Sequence, residues 1–162
     1  MTTTAAGTPA PGETARIIET LAHPALIRLV TEIDDHGPVP HALAPAFPDL
    51  PPRELRHVRD TARALGLIDT GHHAGQPAYL LTGRGTALAD LYEATARWAR
   101  AHDQPTRHCQ FTTRVQTVFH HFAHSLRDDD TALPAPADLL DTLLQWISTS
   151  PDPSEALECE AA

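Results

Sequence analysis

Four arginines recur at intervals of three or four residues in the segment PPRELRHVRDTARALGLIDT, residues 51–70. They are Arg53, Arg56, Arg59 and Arg63. A guanidinium group can donate paired hydrogen bonds to a phosphate or to the edge of a guanine. At this spacing on a helix, the four side chains form either a surface that contacts nucleic acid or a solvated face with no partner. Both alternatives remain open from the residues alone.

The charge of the chain is unevenly distributed. The formal net charge is −9, yet residues 51–107 carry eight arginines and six acids, which gives +2. Residues 1–50 have a net charge of −4 and residues 108–162 a net charge of −7. Only the middle of the chain is therefore expected to attract a polyanion.

Eleven histidines suggest a second kind of chemistry, metal binding. His120 and His124 are four residues apart, which places both rings on one face of a helix at a spacing typical of metal ligands. A tetrahedral zinc site needs three or four converging donors, and no Cys-x-x-Cys or His-Glu-x-x-His motif supplies them. We therefore expect no metal and no cofactor, and interpret the pair as a polar helix face or a pH-responsive dimer surface.

A cysteine is the candidate for redox chemistry. Cys109 follows His108 and Arg107, neighbours that can stabilise a thiolate, so it is either a redox sensor or an inert thiol. It is far in sequence from Cys159, which makes a structural disulfide improbable. We find no nucleophile with its base, no phosphate loop and no dinucleotide fingerprint, and expect no enzyme activity. Without a secretory signal or a long apolar run, we expect a cytoplasmic protein.

Apolar periodicity places the arginines on a helix from about Pro51 to Leu65. Leu55, Val58, Ala62 and Leu65 fall on one side of it, so the cationic side faces solvent. Asp49 is a plausible N-cap for this helix, and Gly66 ends it. The remaining predicted elements are helices at 14–22 and 25–36, a short helical segment at 40–47, strands LIDT and AYLL around the loop GHHAGQP, a helix at 84–102, and two C-terminal helices.

These elements predict a mainly α fold with a small β-hairpin. We divide the chain into a flexible N-terminal tail at 1–12, a domain at 13–103, C-terminal helices at 104–149, and an acidic disordered tail at 150–162. The C-terminal helices are expected to form a dimer interface or a small-molecule pocket at its edge, with intramolecular packing as the alternative. The candidate residues are Trp98, Phe111, Phe119, Phe122, Leu140, Leu144 and Trp146.

The order of elements resembles the winged helix-turn-helix domain of HxlR-type and MarR-like bacterial transcription regulators. The resemblance covers residues 14 to about 101. It is carried by Leu65-Gly66-Leu67 at the end of the basic helix, and by Tyr79, Leu81, Thr82 and Gly85 leading into the next helix. It implies a homodimer that binds double-stranded DNA at a pseudo-palindromic operator, modulated by a small ligand.

By the same resemblance, one set of side chains would face DNA: Arg53, Arg56, His57, Arg59, Arg63 and Arg84. His72 and His73 would sit at the hairpin tip, either touching a minor groove or exposed to solvent. The loop GHHAGQP has no arginine or lysine. This uncharged loop and the acidic C-terminal region motivate an alternative from another class, a winged-helix module that binds protein and not DNA.

Overall fold

A computed structural model describes residues 10–102, 110–127 and 136–149. The fold is mainly helical with a small three-stranded antiparallel sheet, in agreement with the predicted fold class at that level. Its elements in chain order are α1 (Pro11–Leu21), α2 (Pro24–His36), β1 (Val39–Pro40), α3 (Pro52–Ala64), β2 (Ile68–His73), β3 (Gln76–Leu81), α4 (Gly83–Ala101), α5 (Phe111–Arg127) and α6 (Ala137–Ser148).

Prolines begin the first three helices, where the backbone N–H that proline lacks has no partner within the helix. At the start of α2, the His23 ring nitrogen Nδ1 accepts a hydrogen bond from the Ala25 N–H at 3.2 Å. At the end of α3, Gly66 adopts a left-handed φ of 70°. The Leu67 N–H then returns to the Ala62 carbonyl at 2.9 Å, closing α3 as the sequence predicts.

The sheet has the strand order β1-β3-β2, with both pairs antiparallel. The predicted seven-residue hairpin loop is wrong, because β2 and β3 continue through most of it and leave only Ala74 and Gly75 as the turn. Both turn residues have positive φ, 51° and 78°, which matches the twist of the strands that they join. Strand β1 was not predicted; its Val39 pairs with Tyr79 of β3.

The predicted short helix at 40–47 is also wrong. Pro40 belongs to β1, and the segment that follows forms turns in which Ala46 and Phe47 both donate to the Leu43 carbonyl. Prolines at 40, 45 and 48 interrupt the series of backbone N–H donors that a helix requires. Buried Leu43 and Phe47 fix this segment against the core.

Every described helix and strand contributes residues to one continuous apolar core. The exposed side of α6 and the turn end of the hairpin lie outside this core. Phe119 and Phe122 of α5 and Leu143 of α6 are fully buried in it together with Ile18 of α1 and Tyr92 of α4. Helices α5 and α6 therefore share this core with the elements that precede residue 103. No helix in the described ranges is both long and apolar enough to cross a membrane.

Candidate nucleic-acid interface

Helix α3 presents its cationic side outward, as its apolar spacing predicts. Leu55, Val58 and Ala62 are buried. Arg53, Arg56 and Arg63 are exposed, and none of the three forms an ion pair or side-chain hydrogen bond with another described residue. We refer to these three arginines as the α3 arginine face. They are thus available to an anionic partner.

Arg59, the fourth arginine of α3, is neutralised by its neighbour. Its Nε and Nη2 atoms both donate to Asp60 Oδ1, at 3.1 and 3.0 Å. The hydrogen bond to this carboxylate raises the pKa of Arg59. Arg59 is predicted to face DNA, but in the structure it contributes little net charge to the exposed side of α3.

Arg84 is partly buried between the end of α3 and the end of α6, and does not lie on the fully exposed surface that the resemblance implies. Its Nε donates to the Leu65 carbonyl at 3.0 Å, and its Nη1 donates to the Trp146 carbonyl at 2.8 Å and to the Thr149 carbonyl. The guanidinium carbon is 3.8 Å from the centre of the Trp146 ring, whose Nε1–H donates to the Arg84 carbonyl. Desolvation lowers the pKa of Arg84. This side chain therefore joins the end of α3 to the end of α6, and its guanidinium group is engaged by backbone carbonyls instead of being free for a DNA phosphate.

His57 is exposed on α3 but points toward a groove rather than outward with the arginines. The groove has a volume of about 450 Å³ and lies between α1, α2 and α3, with Leu26 and Val58 among its lining residues. Across the groove, the His23 ring packs edge-on to His57, with 6.5 Å between ring centres. His57 therefore lies at the edge of the α3 arginine face.

His72 and His73 are exposed at the end of β2, next to the turn and not at its tip. His73 pairs with Gln76 on the other side of the turn. Neither β2 nor β3 contains an arginine or lysine. The two strands therefore offer no arginine or lysine charge to a DNA backbone.

The predicted dimer and pocket residues divide into two groups. Phe119, Phe122 and Trp146 are buried within the single chain, so they are part of its own core, which is the alternative that the sequence left open. The other four are partly exposed: Trp98, Phe111, Leu140 and Leu144. Trp98 is covered on one side by the His102 ring, stacked with 4.3 Å between centres.

The remaining candidates for chemistry give no site among the described residues. His120 and His124 are exposed on α5. Within 10–102, 110–127 and 136–149, no three His, Cys, Asp or Glu side chains lie close enough together to hold a metal ion. Cys109, with its neighbours His108 and Arg107, lies outside the described residues, as does Cys159.

One ion pair that positions α3 was not predicted. Arg28 of α2 bonds Asp49 through both guanidinium nitrogens, Nη1 to Oδ2 at 2.7 Å and Nη2 to Oδ1 at 3.0 Å. This pairing lowers the pKa of Asp49. Asp49 is therefore not the N-cap that we predicted; that position is Pro51, which has no side-chain cap. The pairing spans 21 residues, and the local sequence offers no signal for it.

Comparisons of the chain with protein-family models, with curated proteins and with solved structures gave no match.

Proposed function

We propose that this protein is a DNA-binding transcriptional regulator with a winged helix-turn-helix domain, in which α3 is the recognition helix. The observation that carries the proposal is the α3 arginine face. Arg53, Arg56 and Arg63 project on the side of α3 opposite its buried residues, with no acidic partner among the described residues. An α-helix fits the major groove of DNA, and arginine binds both guanine edges and phosphates.

The order of elements around α3 supports the same proposal. A winged helix has a helix, a short strand, a connecting segment, the recognition helix and a hairpin, and this is the order from α2 to β3. Here the connecting segment is a set of turns centred on Leu43 and not a full helix. In its place, the ion pair between Arg28 and Asp49 links the residues just before α3 to α2.

In this proposal the protein acts as a homodimer on a pseudo-palindromic operator, with half-sites about one helical turn of DNA apart. The partly exposed apolar positions Leu140 and Leu144 on α6 are the proposed dimer contacts. They repeat at an interval of four residues, which places them on one side of the helix. The groove beside His57 is the proposed position for a small effector, since it adjoins α3.

The experiment that tests this function compares two double variants. Arg56→Ala/Arg63→Ala removes two charges from the α3 arginine face, and Arg97→Ala/Arg100→Ala removes two exposed charges from α4. Binding of each to random duplex DNA and to a selected operator is measured by fluorescence anisotropy between 50 and 300 mM salt. We expect the first variant to lose DNA affinity at least about tenfold. The slope of its log affinity against log salt concentration should correspond to about two fewer released counterions. The second variant should bind DNA as the wild type does.

Equal losses in both variants would mean that only the total charge matters, and would refute recognition by α3. No salt-dependent DNA binding by the wild type would favour the protein-interaction module instead. The observation that favours this second candidate, a protein-interaction module, is the absence of arginine and lysine from strands β2 and β3. The interaction module would be supported by a specific protein partner whose binding requires Arg56 and Arg63.

A further inference from the structure

The residues that follow α6 suggest an occupant for the α3 arginine face within the chain itself. Residues 150–162 have the sequence SPDPSEALECEAA, with four carboxylates and no basic residue. The last described residue before them is Thr149. The position of Thr149 relative to α3 therefore determines which surface this acidic segment can reach.

Arg84 fixes Thr149 next to the end of α3. The one guanidinium group donates both to the carbonyl of Leu65, the residue that caps α3, and to the carbonyl of Thr149. The Trp146 ring stacked on this guanidinium, and its hydrogen bond to the Arg84 carbonyl, hold the last turn of α6 in place. The carbonyl groups of Leu65 and Thr149 thus share one guanidinium group, which places the last described residue before the acidic segment beside the end of α3.

The distances allow the segment to cover the whole face. From Arg53 to Arg63 the helix rises about 15 Å. Thirteen residues in extended form span up to about 40 Å, so the chain from 150 to 162 is long enough to run along α3 with slack. The four acids, at positions 152, 155, 158 and 160, are distributed over most of that length.

We propose that the acidic C-terminal segment, residues 150–162, docks on the α3 arginine face of its own chain and competes there with DNA. The docking follows from charge complementarity between four carboxylates and the three arginines, which have no other partner among the described residues. Its regulatory meaning rests on the proposed DNA-binding function. Anything that removes the segment from α3, such as a cationic partner or high salt, then increases the exposed arginine surface.

Cys159 provides a probe inside the segment. A nitroxide spin label is attached to Cys159 in a Cys109→Ser background, and signals of 15N-labelled backbone amides are recorded at 20 and 500 mM salt. We expect the amides around Arg53, Arg56 and Arg63 to lose about half of their intensity or more at low salt and to recover at high salt, where screening shortens to about 4 Å. The amides around Arg97 and Arg100 on α4 are the internal control and should keep their intensity.

A matched variant removes the charges and keeps the length: Asp152→Asn/Glu155→Gln/Glu158→Gln/Glu160→Gln. With the same label it should leave the α3 amides unaffected, and without the label it should bind duplex DNA about fivefold tighter than wild type at 50 mM salt. Unchanged α3 signals in the labelled wild type, or equal broadening in the neutralised variant, would overturn the docking. Broadening of the α3 amides in 15N-labelled copies that carry no nitroxide, when they are mixed with spin-labelled copies at natural isotope abundance, would assign the occupant to a second chain and overturn docking within one chain.

The two proposals fail separately. If neither protein binds duplex DNA, the proposed function is refuted, while the spin-label data still decide whether the segment docks. If the wild type binds DNA with a salt dependence but the neutralised variant binds no more tightly, competition is refuted and the proposed function stands.

Discussion

Replacement of Arg84 by alanine should destabilise the protein far more than replacement of the other arginines of α4. The change removes hydrogen bonds to the carbonyls of Leu65 and Trp146, a third to Thr149, and the stacking on the Trp146 ring. A hydrogen bond from a charged donor contributes about 1.5–3 kcal/mol and a cation–π contact about 1 kcal/mol, before allowance for the partial exposure of this site. We therefore expect the free energy of unfolding to fall by about 3 kcal/mol.

The assay is thermal and chemical denaturation combined with hydrogen exchange. At the size of this chain, 3 kcal/mol corresponds to a decrease in Tm of about 6–12 °C. Amides of α6 should lose more protection than those of α1, because Arg84 holds the last turn of α6. Arg84→Lys should recover only part of the loss, since lysine has no planar group to stack on Trp146 or to bridge several carbonyls. Arg97→Ala, on the exposed side of the same helix, should change stability by less than about 0.5 kcal/mol.

A loss below about 0.5 kcal/mol for Arg84→Ala, with unchanged protection of α6, would refute the conclusion that Arg84 joins α3 to α6. It would also remove the anchor that positions Thr149 beside α3.

Three further predictions concern other sites. Gly85→Ala should destabilise the protein by about 3 kcal/mol or more in thermal unfolding, because a Cβ there would lie 2.1 Å from the Leu67 carbonyl oxygen. The control is Gly12→Ala in α1, where a Cβ would meet nothing within 4 Å. This variant should be neutral or more stable by up to about 1 kcal/mol. Tyr92→Phe removes the buried hydrogen bond to the Leu21 carbonyl at 2.6 Å and should cost about 1–2 kcal/mol at pH 8. Burial raises the pKa of Tyr92, so the wild type should lose stability as the pH rises above about 10, and urea unfolding of the phenylalanine variant should show a smaller loss. Asp60→Asn releases Arg59 and should strengthen DNA binding about threefold at 50 mM salt, with a steeper salt dependence; weaker binding would show that the carboxylate contributes to recognition.

Local patterns in the sequence were sufficient to predict most of the helices and the buried side of α3. The spacing of Leu55, Val58 and Ala62 determines which side of α3 is buried, and this same spacing directs Arg53, Arg56 and Arg63 outward. Gly66 ends the helix because its left-handed φ suits few other residues. These effects act between residues within one or two helical turns of each other, so the periodicity of the sequence predicts them directly.

The errors arose where distant residues decide the outcome. Arg84 looks like an exposed cation in the sequence, but carbonyls at 65, 146 and 149 surround it only after the chain has folded. Asp49 precedes α3 at a capping position, and Arg28, 21 residues earlier, binds it instead. Strand β1 has two residues, and only its pairing with β3 makes it a strand.

The most direct test of DNA recognition by α3 is an NMR titration that follows each arginine Nε–H signal as duplex DNA is added at 50 mM salt. Arginine side-chain signals report the contacts of each guanidinium group separately. We predict that the signals of Arg53, Arg56 and Arg63 shift first and saturate together, while that of Arg84 stays in place. Shifts confined to Arg97 and Arg100, or no shift of any arginine at a tenfold excess of duplex, would contradict recognition by the α3 arginine face.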